Sequence, residues 1–86
     1  MHQYKIEIYR YTPEGAVGDL ETTRYADNPE QARLLCQEYR NQWQTIINPE
    51  TGKEERTANK KFKVRLFLNA YKEQTDIDGF FALFEA

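Results

Sequence analysis

Between residues 27 and 43 the hydrophobic period of this chain is helical, whereas before and after that stretch the period is mostly two. This contrast constrains the fold most, because a 3.6-residue stripe and a two-residue alternation bury their apolar side chains in incompatible ways. Asp27-Asn28-Pro29 reads as a helix start. Asn28 suits the N-cap, Pro29 suits the first helical position, and Glu30 favours the positive end of the helix dipole. Gln31, three residues after Asn28, completes the pattern of a capping box. Ala32, Leu35, Cys36, Tyr39 and Trp43 then form one apolar stripe, with Arg33, Glu38, Arg40 and Gln42 on the polar side. The spacing predicts a helix over 29–43.

The flanking segments alternate. Tyr4, Ile6 and Ile8 share one face of a strand over Tyr4–Tyr11, with Lys5, Glu7 and Tyr9 on the other. Pro13, Glu14, Gly15 and Gly18 mark a turn before a second strand, Leu20–Tyr25. After the helix, Asn48-Pro49-Glu50-Thr51-Gly52 reads as a hairpin connection between 44–47 and 53–57, with Gly52 suited to a left-handed position. Ala58-Asn59-Lys60 reads as a further turn. Lys61–Asn69 alternates again, with Phe62, Val64, Leu66 and Leu68 inward, Lys63, Arg65 and Asn69 outward, and Phe67 interrupting the outward face.

The C-terminal segment 75–86 satisfies two patterns. Asp78-Gly79 is a hairpin signal that makes Phe80–Phe84 a strand, while Thr75 with Asp78 resembles a capping box and Ile77, Phe80, Phe81 and Phe84 fit a helical stripe. The strand is preferred, because Gly79 costs a helix interior up to ~1 kcal/mol. The expected fold class is α+β within a single domain, 1–86. It is an antiparallel meander-type sheet with one amphipathic helix packed on a face, in the order β-β-α-β-β-β plus the undecided C-terminal element.

Composition bears on function mainly through absences. The chain has no serine, one histidine (His2) and one cysteine (Cys36), which excludes a Ser–His–acid triad and an intrachain disulfide. Two Cys and His residues are too few for a structural zinc site, which needs about four ligands. The four glycines form no phosphate-cradling motif. The expectation is therefore a non-enzyme with no cofactor. Cys36, on the helix's apolar stripe, reads as a small buried hydrophobe. With a lone cysteine, no apolar leader in MHQYKIEIYRY and no run near the ~18 residues of a membrane span, the expected location is cytoplasmic, away from any membrane.

Four constellations remain. Gln74, Asp76, Asp78, Gly79 and Glu85 approach the spacing of an EF-hand calcium loop. The neutral Gln74 at the first position, Ile77 at the fourth and the lack of a following helix favour an Asp-Gly turn with incidental acids. Lys53, Arg56, Lys60, Lys61, Lys63 and Arg65 stand against Glu54 and Glu55, a net +4 over 53–65 in a chain of net −2. That basic hairpin or strand could track phosphates beside Tyr9, Arg10, Tyr11 and Phe67, although the pI near 5.4 argues for a solvated strand edge instead. Residues 73–86 carry Glu73, Asp76, Asp78 and Glu85 with no basic residue, which would make the molecule dipolar. Tyr9, Tyr11, Tyr25 and Phe67 lie off the core faces and are docking candidates.

The arrangement of two strands followed by NPEQAxxLxxEY is shared by many unrelated small α+β domains and carries no function. The functional expectation is a small protein-binding module. Tyr9, Tyr11 and Phe67 would anchor the contact, and Lys60, Lys61, Lys63 and Arg65 would orient it. Size and composition fit a phage or mobile-element inhibitor of a bacterial defence complex. The alternative is a nucleic-acid-binding domain using the basic 53–65 segment. A homodimer through an exposed sheet edge or the Phe-rich tail is a third expectation.

Overall fold

The computed structural model describes residues 3–69 and 71–85, so His2 lies outside the described residues. Two strands, β1 (Tyr4–Tyr11) and β2 (Val17–Ala26), precede helix α1 (Pro29–Arg40). Strands β3 (Trp43–Ile47) and β4 (Glu54–Lys60) form a hairpin, followed by β5 (Phe62–Leu68), β6 (Lys72–Gln74) and the short helix α2 (Ile77–Ala82). The strands pair as three sequential hairpins. The first and third join through β1 and β5 into an antiparallel sheet of order β2-β1-β5-β6, while β3 and β4 form a separate two-stranded ribbon. The architecture is the expected α+β class, with helices on one face of an antiparallel sheet.

The core follows from register. Tyr4, Ile6 and Ile8 of β1 lie opposite Leu68, Leu66 and Val64 of β5, so both alternating stripes face the same side. On that side α1 contributes Ala32 and Cys36, and α2 contributes Phe81, to one buried cluster with Phe62. Tyr39 meets Phe62 edge to face at 5.4 Å, and Phe80 meets Tyr4 at 6.1 Å. The N-cap at Asn28 and the proline in the first turn are as the sequence predicts, and the reach-back of Gln31 falls one residue before a capping box. The Asn28 carboxamide accepts the Gln31 N–H at 2.8 Å, and the Gln31 side chain reaches back to the Asp27 N–H at 3.1 Å.

The structure corrects the sequence reading in four places. The helix ends at Arg40, not at residue 43, and Trp43 opens β3. The expected turn at Ala58-Asn59-Lys60 is the end of β4, and only Lys61 bends before β5. A short edge strand, β6, pairs with β5 where no strand was anticipated. The preferred C-terminal strand is a helix. Its cap is Asp76, whose carboxylate accepts the Gly79 N–H at 3.0 Å, not the Thr75–Asp78 box. A Cβ at Gly79 would come within 2.2 Å of that carboxylate, so the residue that lowers helix propensity is the one that leaves room for the cap.

Candidate interaction surface

Three regions hold the residues that could work on a partner. The first is the sheet face opposite the helices. There Tyr9 pairs with Lys63, Glu7 with Arg65, Lys5 with Phe67, and Phe67 in turn with Glu73. Of the expected contact residues, the fold thus brings together Tyr9, Lys63, Arg65 and Phe67. It surrounds them with a polar ladder that closes on itself. The Tyr9 hydroxyl donates to Glu7 at 2.8 Å, Lys5 sits 3.3 Å from Glu7, and Arg65 makes a two-pronged pair with Glu73 at 2.8 Å in both arms. Phe67 lies between Lys5 and Arg65, 4.7 and 5.3 Å from its ring centre.

The electrostatics of this face follow from the ladder. Burial raises the Glu7 carboxyl, but the Tyr9 hydroxyl, Lys5 and Arg65 outweigh it and leave Glu7 below the usual carboxylate range. The Arg65 guanidinium likewise holds Glu73 down. Its charges are largely answered within the face. Lys5, Glu7 and Glu73 were not among the expected contact residues, although Lys5 and Glu7 share the alternation that marks Tyr9. Only the β1–β5 register shows which of them meet Arg65 and Phe67.

The second region is the base of the ribbon, where Tyr11 and Lys60 line a cavity of about 310 Å³ with Phe62 and Lys63, and the Lys61 carbonyl accepts the Tyr11 N–H at 3.0 Å. The Lys60 ammonium donates to the Arg40 carbonyl at the end of α1 and sits 4.1 Å from the Trp43 ring centre. The Arg56 guanidinium lies over the same ring at 3.9 Å. Gln44 donates to the Thr12 and Lys60 carbonyls at 2.9 and 3.2 Å, and Asn59 donates to the Pro13 carbonyl at 3.2 Å. These bonds pin the ribbon to the β1–β2 loop. A cleft of about 420 Å³ opens beside them, lined by Arg10, Tyr11, Pro13, Trp43, Gln44, Thr45 and Lys61. Sequence reasoning missed Trp43 as a ribbon residue because it continues the helical stripe.

The third region is the ribbon itself. Its strands pack chiefly on each other, and the molecule measures 49 × 30 × 19 Å with a radius of gyration of 15.0 Å. A compact chain of this length has a radius of about 12 Å. Ile46 and Ile47 are 58% and 71% exposed on β3. The turn is built as expected, with the Asn48 side chain accepting the Glu50 N–H at 2.8 Å and Gly52 at φ 71°. From 46 to 56 the ribbon carries Glu50, Glu54 and Glu55 against Lys53 and Arg56.

The basic stretch 53–65 is divided by the fold. Lys53, Arg56 and Lys60 belong to the ribbon, whereas Lys63 and Arg65 belong to the main sheet, and β4 and β5 do not pair. The acidic tail is answered by distant arginines, Asp78 by Arg40 at 2.7 and 2.9 Å and Glu85 by Arg33 at 3.0 Å. With Asp76 engaged as a helix cap, the EF-hand-like positions are spent on separate structural bonds. Among the described residues no group of three or more His, Cys, Asp or Glu could hold a metal ion. Burial pushes the Cys36 thiol up to about 12, against a smaller opposing effect of Arg40, which keeps it protonated and unreactive at neutral pH. No helix among the described residues is long and apolar enough to cross a membrane.

Comparison with protein-family models, curated proteins and solved structures finds no match to this chain.

Proposed function

We propose that this chain is a non-enzymatic protein-binding module whose principal contact element is the projecting β3–β4 ribbon. The observation that carries this reading is the exposure of Ile46 and Ile47 on a ribbon that stands off the core. At 58% and 71% exposure, each isoleucine forgoes only part of the roughly 1.5–3 kcal/mol that full burial is worth, and a partner surface recovers that part. The bonds from Gln44, Asn59 and Lys60 hold the ribbon in one orientation before any partner arrives, so little ordering cost falls on binding. Tyr9, Lys63, Arg65 and Phe67 then form a flanking contact face, and Tyr11, Lys60 and Lys61 the junction between that face and the ribbon. An inhibitor of a bacterial defence complex, carried by a phage or mobile element, is the narrower form of this proposal.

The nucleic-acid alternative draws its support from Lys63, Arg65, Tyr9 and Phe67 on one sheet face. Two facts favour protein contact over it. Arg65 is committed to Glu73, and the protruding ribbon carries more acid than base between 46 and 56. The test is a tagged pull-down from bacterial lysate, split into nuclease-treated and untreated halves, with wild-type protein beside an Ile46→Asp/Ile47→Asp variant. The expected result is a defined protein retained through nuclease by the wild type and lost from the variant. Retention that disappears on nuclease treatment and falls steeply between ~50 and ~200 mM salt would overturn the reading in favour of nucleic acid.

A further inference from the structure

The geometry points to β3 as a strand-addition edge whose occupant is β3 of a second copy, joined antiparallel about a two-fold axis at Thr45. This rests on the ribbon being a protein-contact element and names its partner. Among the described residues four strand edges are open, and three carry the features that keep edges from pairing. The register of β2 is broken twice and it holds Asp19, Glu21 and Arg24. Strand β6 is three residues long and includes Lys72 and Glu73. Strand β4 holds Glu54, Glu55, Arg56 and Lys60. Strand β3, Trp-Gln-Thr-Ile-Ile, has no charge, proline or glycine, its last three residues are exposed, and the register shift of the ribbon between Trp43 and Thr45 places the extra residues, 57–59, on β4. Such a β-prone, uncharged edge is the part of this surface fitted to receive another strand.

The sequence of β3 is self-complementary in this geometry. A two-fold axis normal to the ribbon sets Thr45 against Thr45 of the second copy, Ile47 against Trp43 and Ile46 against Gln44. Each pair falls on a common face, because both members are odd or both are even. The result is two aromatic–β-branched pairs and a Thr–Thr pair, the kinds of cross-strand neighbour that stabilise a sheet. Charge favours a second copy over an unrelated strand. The antiparallel run carries each turn, with Glu50, past Trp43 of the other copy towards the cleft where Lys61 is a charged lining residue and Arg10 is already held by Glu21 at 2.9 Å. Glu50 of each copy therefore approaches Lys61 of the other, twice in one dimer. A ribbon edge buries less than the ~1,200 Å² of a standard interface, so the dimer is weak, with a dissociation constant between about 1 µM and about 1 mM.

Sedimentation equilibrium on the full chain, from about 10 µM to about 1 mM, tests the pairing. The wild type should rise from 10.3 kDa towards twice that mass, and less so at high salt. Thr45→Lys and Thr45→Glu, each placing like charges on the two-fold axis, should stay monomeric at every concentration. Their equimolar mixture should dimerise again, because Lys then faces Glu. Thr45 is exposed and gives up one surface bond, from its hydroxyl to Glu54 at 2.8 Å, so both variants keep the fold, which circular dichroism verifies. A monomeric wild type, variants that dimerise as the wild type does, or a mixture that stays monomeric overturns the proposal. A monomeric wild type whose Ile46→Asp/Ile47→Asp variant still loses a nuclease-resistant partner defeats self-association alone. If that variant also keeps the partner, the ribbon reading falls with it.

Discussion

Replacing Phe81 with Ala removes the one fully engaged side chain that α2 contributes to the core. Phe81 is 5% exposed and packs at 5.4 Å from Phe80, which itself touches Tyr4 of the central strand. Burying a Phe side chain is worth about 1.5–3 kcal/mol by transfer alone, and the cavity left by truncation brings the usual cost to about 3–5 kcal/mol. For a chain of this size, total stability is about 4–13 kcal/mol, so the variant loses a large fraction of it. Taking about 4–8 °C per kcal/mol for a domain of this length, the melting temperature should fall by at least about 12 °C. Leu83 is two residues away and 80% exposed, so Leu83→Ala should stay within about 0.5 kcal/mol of the wild type. Urea and thermal unfolding of the two variants side by side read the difference. Equal, small effects would mean that α2 does not pack on the sheet.

Two further outcomes follow from the local chemistry. Asn28→Ala removes the acceptor for the Gln31 N–H and should cost about 1 kcal/mol, read as a lower urea midpoint with an unchanged slope. The Cys36 thiol has a folded pKa raised to about 12 by burial, so above the unfolded thiol's pKa the unfolded chain ionises first. Stability should then fall as pH rises from about 9 towards 12, by up to about 1.4 kcal/mol per unit, and a Cys36→Ala variant should show a flatter decline.

The legible parts of this fold are those whose physics is local. The cap at Asn28 and the stripe Ala32–Leu35–Cys36–Tyr39 specify α1 because capping and side-chain periodicity operate within a few residues. The alternations in 4–11 and 62–68 specify strands and their buried faces for the same reason. The turn at 48–52 is written in Asn48 and Gly52. At Trp43 and at residues 75–86 two local patterns compete, so neighbours outside the segment settle the outcome. Trp43 leaves the helical stripe to lie against Arg56 and Lys60, and the C-terminal segment becomes a helix once Asp76 caps it and Phe81 reaches the core.

The candidate contact surface divides along the same line. Alternation alone assigns Tyr9, Lys63, Arg65 and Phe67 to outward faces, but says nothing of which strands adjoin. The register of β1 on β5 makes them neighbours and sets Glu7 and Glu73 beside Arg65, turning a run of positive residues into a paired ladder. Arginines more than 30 positions away likewise answer Asp78 and Glu85. The separation of β4 from β5 splits the basic stretch between two sheets, and the standing of the ribbon off the core leaves Ile46 and Ile47 in solvent. Where a single periodicity runs along a strand or helix, as in 4–11, 29–40 and 62–68, it fixes which residues turn inward. Which outward residues meet, and which remain open to a partner, depends on pairings between distant segments, and those exist in the folded molecule and in no local pattern.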